Sequence, residues 1–311
     1  MENILVTGGA GYIGSVLVEE LLNLDYNVTV YDNFKYNQDS LMHLCARKNL
    51  EIVNADVRDH EKLNTYISKN DIVIPLAAIV GAPACKKLPA ESFETNFSSI
   101  QFLVKQLSKD QKIIFPVTNS GYGVGEKDIF CDEKSKLRPI SEYGKQKVMA
   151  EQVVMEHGNS VSFRLATVFG ASPRMRLDLL VNDFVYRACT DSCVVLFEEH
   201  FKRNYIHIRD VSGAFIFALN NFGTMKENVY NHGLNEANIS KRELADLIKE
   251  FIPGFHIISS PIGEDPDKRN YIVSNDKLKN TGFTNKYSLS DGIIELKKLY
   301  SFLKNNKYNN L

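Results

Sequence analysis

Apolar residues along the chain fall into short, nearly unbroken runs separated by longer stretches where they recur every three or four positions. NILVTG, NVTVYD, EIVNAD, DIVIPLAA, KIIFPVTNS and SVSFRLATVFG are the runs. Their length and β-branched content predict strands buried on both faces. Between the first two, YIGSVLVEELLNL sets Ile13, Val16, Leu17, Leu21 and Leu24 on one side of a helix. SFETNFSSIQFLVKQLS and YGKQKVMAEQVVMEH also read as helices. Strands alternating with helices predict an α/β fold, a doubly wound parallel sheet covered on both faces. After Gly170 the pattern loosens. ASPRMRLDLLVNDFVYRAC reads as a loop and a helix, and RNYIHIRDVSGAFIFALN as a strand and helix that return to the sheet. ISKRELADLIKEF is helical, with Ser240 as N-cap and Glu243 three residues on. With no repeat and no low-complexity linker, the second half predicts a smaller lobe packed over the strand ends.

Length and charge change this picture little. The 311 residues suffice for a well-buried core. A net charge of -1 gives no reason to expect nucleic acid or an acidic membrane surface as partner. A strand-like run starts at the third residue, so no signal peptide is expected. No apolar stretch approaches the roughly 20 residues that span a bilayer. The polar tail KNNKYNNL is expected to fray. Cys45, Cys85, Cys131, Cys189 and Cys193 are odd in number and scattered, which suits a reducing compartment and a cytoplasmic protein. Cys189 and Cys193 are four apart and are expected on one side of a helix. No His or Cys cluster near them completes a metal site, and no metal is expected.

The chemistry begins directly after the first strand. TGGAGYIG spaces Gly8, Gly11 and Gly14 three apart, between a strand and a helix. Glycine permits the tight turn and lets a pyrophosphate approach the helix N-terminus, where free N–H groups and the helix dipole favour an anion. Asp32 closes the second strand, about 20 residues on, where a carboxylate accepts hydrogen bonds from a ribose 2′-OH. The same charge repels a 2′-phosphate, so NAD is expected over NADP. Asp56, closing the third strand, is placed to reach the adenine edge.

YGKQK sets Tyr143 and Lys147 four apart, on one face of a helix. A phenol titrates near 10, too high for a base at neutral pH. A nearby ammonium and a positively charged nicotinamide ring would favour the phenolate. Tyr143 would then take a proton from a sugar hydroxyl as the carbon gives up its hydride. Thr118, in VTNSGYG, stands at the carboxyl end of a strand, where open α/β sheets bind ligands.

TGGAGYIG, Asp32, Thr118 with the following YG, and YGKQK together resemble the extended short-chain dehydrogenases/reductases, and more narrowly the NAD-dependent nucleotide-sugar epimerases and dehydratases. PRMRLDLLVNDFV and NYIHIRDV extend the resemblance over nearly the whole chain. It implies a Rossmann-type sheet with a smaller C-terminal α/β substrate-binding lobe. Residues 1–170 with 204–233 would bind the dinucleotide, and 171–203 with 234–311 the nucleotide sugar. It implies a cofactor site of Gly8, Gly11, Tyr12, Ile13, Gly14, Asp32, Asn33, Asp56, Val57, Leu76, Ala77, Ala78 and Asn96, together with Tyr143 and Lys147. Thr118 would bind the reacting hydroxyl beside Tyr143. Asn182 and Arg203 would hold the sugar-nucleotide pyrophosphate, and Arg269 a phosphate or base. Arg203 suits this physically, because a guanidinium binds phosphate oxygens in pairs. His207, in a strand-like run, reads as structural. The resemblance also implies a homo-oligomer, a dimer or tetramer, with SFETNFSSIQFLV and KQKVMAEQVV as candidate contact surfaces.

There are departures from the family pattern. Pro75 stands where many relatives have His, and Val80 lies where some 4-epimerases carry a Lys. Dehydratases carry Asp-Glu directly after the Thr, to expel water across C5 and C6. Here Asn119 and Ser120 take those positions and are expected to contact substrate instead. An amide shuttles no proton at neutral pH and an unactivated hydroxyl is a poor base. Oxidation at C4 without dehydration is therefore expected. The resemblance of the whole chain leans toward enzymes that oxidise GDP-D-glycero-α-D-manno-heptose at C4 in bacterial capsule assembly. A GDP-sugar is thus favoured, and the alternative is a UDP-hexose 4-epimerase. A non-catalytic NAD-binding sensor would be expected to lack the Tyr or the Lys, and both are present.

Overall fold

The computed structural model describes residues 2–126, 128–261 and 269–303. The tail KNNKYNNL, expected to fray, lies outside the described residues. Seven parallel strands form the main sheet: β1 (Asn3–Thr7), β2 (Asn27–Asp32), β3 (Leu50–Asn54), β4 (Ile72–Pro75), β5 (Lys112–Thr118), β6 (Ser160–Leu165) and β7 (Asn228–His232). Their order is β7-β6-β5-β4-β1-β2-β3. From β1 the chain winds first toward β2 and β3, then crosses back to β4 on the other side. The reversal puts a crevice beyond the carboxyl ends of β1 and β4, where such sheets bind ligands.

Alternate residues of each strand enter different cores, as a sheet covered on both faces requires. Ile4 and Val6 of β1 pack with Val28, Val30, Ile72 and Ile74 in the larger cluster, which includes Val16 and Leu17 of helix α1 (Tyr12–Asn23). Leu5 points the other way, to Tyr31, Leu63, Ile67, Val73 and Leu103. On the same side Ile113, Phe115 and Val117 of β5 meet Ala150 and Val154 of α2 (Glu142–Glu156).

The helix expected over SFETNFSSIQFLVKQLS is interrupted. It runs as Pro89–Phe93, a π-helical turn Glu94–Ser98, and Ser99–Gln106. The expected capping box before the helix Lys241–Phe251 is present: the Ser240 side chain accepts from Glu243 N–H, and the Glu243 carboxylate accepts from Ser240 N–H.

Two sequence expectations are corrected. The strand in RNYIHI, Lys202–His207, does not return to the main sheet. It pairs in parallel with Thr167–Phe169 and antiparallel with Asn238–Ser240. The run SVSFRLATVFG breaks at Ala166, whose N–H turns to the carbonyl of His232. Its second half thereby founds a small separate sheet, and β7 takes the edge of the large one. Cys189 and Cys193 do not share a helix. Cys189 is in α3 (Leu180–Thr190), the chain turns at Ser192 with φ 56°, and Cys193 opens a short strand.

Candidate active site

A cavity of about 720 Å³ opens over the crevice. Its first wall is the glycine loop, with Gly8, Gly11, Tyr12, Ile13 and Gly14. Gly8 has φ +71°, and a Cβ there would sit 2.5 Å from the backbone N of Ala77. A Cβ on Gly14 would lie 2.5 Å from the carbonyl oxygen of Gly8. Only glycine permits these approaches of main chain to main chain. Helix α1 starts at Gly11 without a side-chain cap, so its first N–H groups keep their capacity for an anion at the cavity wall.

Asp32 is buried beside this loop, and Asn33, Val57, Leu76, Ala77 and Ala78 continue the wall. The Asp32 carboxylate accepts from Ala10 N–H at 3.0 Å, Phe34 N–H at 2.8 Å and the Gln38 amide at 3.2 Å. Burial raises its pKa above the usual carboxylate range, against the pull of those N–H donors. Asp56 and Asn96 do not line the cavity. Asp56 is held by the Arg58 guanidinium at 2.8 and 2.9 Å, which lowers its pKa to about 2, and accepts from the Asn33 amide at 2.8 Å. Asn96, in the π-helical turn, is buried. It accepts from Ile79 N–H at 2.8 Å and donates to Ile79 O at 2.9 Å and Gln146 Oε1 at 2.8 Å. It thereby fixes the loop 76–83, all of which lines the cavity.

The second wall carries Thr118, Ser120, Tyr143 and Lys147. Thr118 ends β5, and its Oγ1 lies 2.9 Å from Ser120 Oγ and accepts from Ser120 N–H at 3.1 Å. Arg269 donates to Ser120 Oγ. A guanidinium can only donate, so Ser120 is an acceptor there, and its own proton is left for Thr118 Oγ1 or the cavity. Asn119 does not reach the cavity. It is buried, and neither amide atom has a hydrogen-bond partner.

Tyr143 and Lys147 stand one turn apart on α2, begun by Ser141, whose hydroxyl caps Gly144 N–H at 3.1 Å. Burial pushes the Tyr143 phenol up to about 12, against Arg176 and Arg269. Burial also pulls the Lys147 ammonium down to about 7, opposed by Glu151. The Lys147 Nζ sits 4.1 Å over the ring of Phe115. The expected depression of the phenol by the ammonium is therefore not realised in the protein alone, because burial drives both groups toward their neutral forms. Glu151 is itself buried and fixed by Arg164, at 2.6 and 2.9 Å.

The third wall comes from the later part of the chain. Arg203 and Arg269 are on it, as expected, but Asn182 is not. The Asn182 amide is spent on Gly170 N–H at 3.1 Å, Arg176 O at 2.8 Å and the Tyr12 hydroxyl at 3.2 Å. It shapes the wall from behind. Arg174, Arg176 and Asp178, to which the sequence pattern gives no role, are also on this wall. Arg176 pairs with Asp178 at 2.5 Å and is buried. The signal for them was two arginines in a loop otherwise flanked by apolar residues. His207 is structural: it is buried, with Nε2 2.6 Å from Glu295. Among the described residues no group of three His, Cys, Asp or Glu could hold a metal ion, and no helix is long and apolar enough to cross a membrane.

A parallel sheet with a glycine loop at its reversal point, an acid at the end of β2, and Thr, Tyr and Lys on the facing wall define a dinucleotide-dependent enzyme of the short-chain dehydrogenase/reductase type. The chain belongs to the NAD-dependent epimerase/dehydratase family, whose model matches residues 4–233. The chain is 26% identical to a putative UDP-glucose 4-epimerase of Methanocaldococcus jannaschii, over 97% of this chain and 99% of that protein. It is 28% identical to the UDP-glucose 4-epimerase of Thermotoga maritima solved with UDP-glucose, with a TM-score of 0.81 over 96% of this chain and 98% of that one. The dTDP-glucose 4,6-dehydratase of Bacillus anthracis, solved with NAD, shares the fold at 22% identity, with a TM-score of 0.83 over 99% of each chain. The uncapped α1 N-terminus, the close approaches at Gly8 and Gly14 and the Asp32 carboxylate fit NAD.

Proposed function

We propose that the protein oxidises a nucleotide sugar at C4 to a 4-keto sugar without loss of water. The observation that carries this reading is the turn after Thr118, which offers the cavity a hydroxyl, Ser120, and no carboxyl group. Thr118 holds the C4 hydroxyl, and Tyr143, as phenolate, takes its proton. When bound, NAD supplies the electron acceptor. With Arg269 occupying an acceptor site of Ser120, the Ser120 proton can turn to Thr118 Oγ1, and the Thr118 proton is then free for the sugar oxygen. Lys147 favours the phenolate once a ligand adds its own charge to the site. The carboxyl groups on the other walls are committed elsewhere: Asp32 to Ala10 N–H at 3.0 Å and Phe34 N–H at 2.8 Å, Asp178 to Arg176 at 2.5 Å, Asp183 to Arg187 at 2.9 Å, and Glu91 to Lys35 at 2.7 Å. Arg203 and Arg269 hold the sugar-nucleotide phosphates. Residues 1–170 with 204–233 serve the cofactor, and 171–203 with 234–311 the sugar.

GDP-D-glycero-α-D-manno-heptose is the favoured substrate, in capsule heptose assembly, and the support for it is the whole-chain resemblance. A UDP-hexose 4-epimerase is the second reading, favoured by the two UDP-glucose 4-epimerases above. Pairing of subunits would use the helical face where Phe93 and Met149 are exposed. Incubating the protein with each nucleotide sugar and following NADH absorbance separates the two reactions. A dehydrogenase accumulates NADH with the GDP-heptose, whereas an epimerase converts a UDP-hexose with no net redox change.

A further inference from the structure

We propose that Arg174 and Tyr36 form a strap across the adenosine side of the cofactor cleft and slow the release of NAD and NADH. This rests on NAD as the cofactor, and it assigns retention of the cofactor to residues of this chain. The two side chains come from distant parts of the sequence. Tyr36 lies in the loop after β2, four residues beyond Asp32. Arg174 lies in the loop joining Thr167–Phe169 to α3. The Arg174 guanidinium nevertheless stands 4.9 Å from the centroid of the Tyr36 ring. Both line the cavity together with Asp32, Gly11 and Tyr12. Arg174 is only 4% exposed, which is unusual for a long cationic side chain on a loop.

Both ends of the strap are anchored to the dinucleotide site itself. At the Arg174 end, Ser172 Oγ donates to Tyr12 O at 2.7 Å, and Arg174 N–H donates to Ser172 Oγ at 3.3 Å. The Tyr12 hydroxyl donates to Gly170 O at 2.7 Å. This fastens the loop to the first turn of α1, where a pyrophosphate is expected. At the other end, Tyr36 N–H donates to Gln38 Oε1 at 3.1 Å, and the Gln38 amide donates to Asp32 Oδ1 at 3.2 Å. The main chain that carries the ring is thereby tied, through Gln38, to the carboxylate expected to meet the ribose. The guanidinium also adds a buried positive charge to the cavity that the glycine loop lines. A cation over a phenol face is attracted by the ring quadrupole, most strongly where water is excluded. A dinucleotide lying between the glycine loop and Asp32 is enclosed by this contact, and the contact must open for it to leave.

The test measures release and not turnover. Protein loaded with NADH is mixed rapidly with a large excess of NAD, without sugar, and loss of bound NADH fluorescence is followed. Arg174→Met and Tyr36→Leu should each speed release by about tenfold or more, since changes in affinity fall mostly on the off-rate. The double variant should release no faster than about twofold beyond the faster single variant, because both substitutions open one contact. Arg174→Lys, which keeps the charge but not the planar guanidinium, should fall between. Release from Tyr36→Leu within twofold of wild type overturns the strap, and that variant carries the test even if Arg174→Met fails to fold. Because no sugar is present, failure of the C4-oxidation reading would leave these rates unchanged.

Discussion

On the cofactor side the cavity wall is largely main chain, while on the opposite side it is built from long side chains. Gly8, Gly11 and Gly14 work through what they lack, since a Cβ at the first or last would meet backbone atoms at 2.5 Å. Arg176, Arg203 and Arg269 work through charge carried in from three separate points of the later chain. The glycine wall leaves no room for a side chain at Gly8 or Gly14 unless the main chain shifts. The opposite wall can be changed one side chain at a time without altering the fold. Cofactor use should therefore be fixed within this architecture, and substrate choice adjustable.

The comparison yields predictions that break one wall or the other. Tyr143→Phe should reduce kcat by about two orders of magnitude or more while NAD remains bound, because it removes only the proton acceptor. Parallel measurement of turnover and of NADH binding checks this, and near-normal turnover would exclude the role given to Tyr143. Gly14→Ala should act on the other wall, weakening NADH binding by at least about tenfold, since the new methyl would press on the Gly8 carbonyl. A fluorescence titration measures it, and binding close to wild type would show that the loop gives way. Arg269→Leu should raise KM for the nucleotide sugar by about tenfold and leave NADH affinity intact, in keeping with the loss of one charge-assisted contact. Asp32→Ala should narrow the preference for NAD over NADP several-fold, as the charge that repels the 2′-phosphate is removed. Equal use of both cofactors by the wild type would contradict that role.

The smallest effect expected is on stability. Lys147 has its folded pKa depressed to about 7, below an unfolded value near 10.4. Between these values the unfolded chain binds more protons, so stability rises with pH. Below about pH 7 the ammonium is charged in both states and the full cost of burying it applies. Lys147→Met removes that cost. Its Tm advantage over wild type in the ligand-free protein should therefore be larger at pH 6 than at pH 9. An advantage that stays the same from pH 6 to pH 9 would mean that the lysine is charged in the folded protein throughout.

What could be read from the sequence follows the same division. The glycine loop, Asp32, Thr118, Tyr143 and Lys147 sit at strand ends or on a helix face, where local pattern fixes position. All of them line the cavity. Asn182 was expected on the wall but is turned inward, and no local pattern could reveal that its amide would be claimed by Tyr12, Gly170 and Arg176. Arg174 and Arg176 lie in an aperiodic loop, whose path depends on contacts with Tyr12 and Ser15 some 160 residues earlier. The strand Lys202–His207 was recognised as a strand, but its partner depended on the break at Ala166, which interrupts a run that reads as continuous. Asn119 and Ser120 are adjacent in sequence, yet only Ser120 faces the cavity.

The central claim is that no acid after Thr118 can expel water from the sugar. The most direct test is mass spectrometry of the nucleotide sugar after incubation with NAD. The account predicts a product lighter than the substrate by two hydrogens, or unchanged in mass if the hydride returns as in an epimerase. A product lighter by one water would contradict it, because another residue would then be supplying the proton that Asn119 and Ser120 cannot.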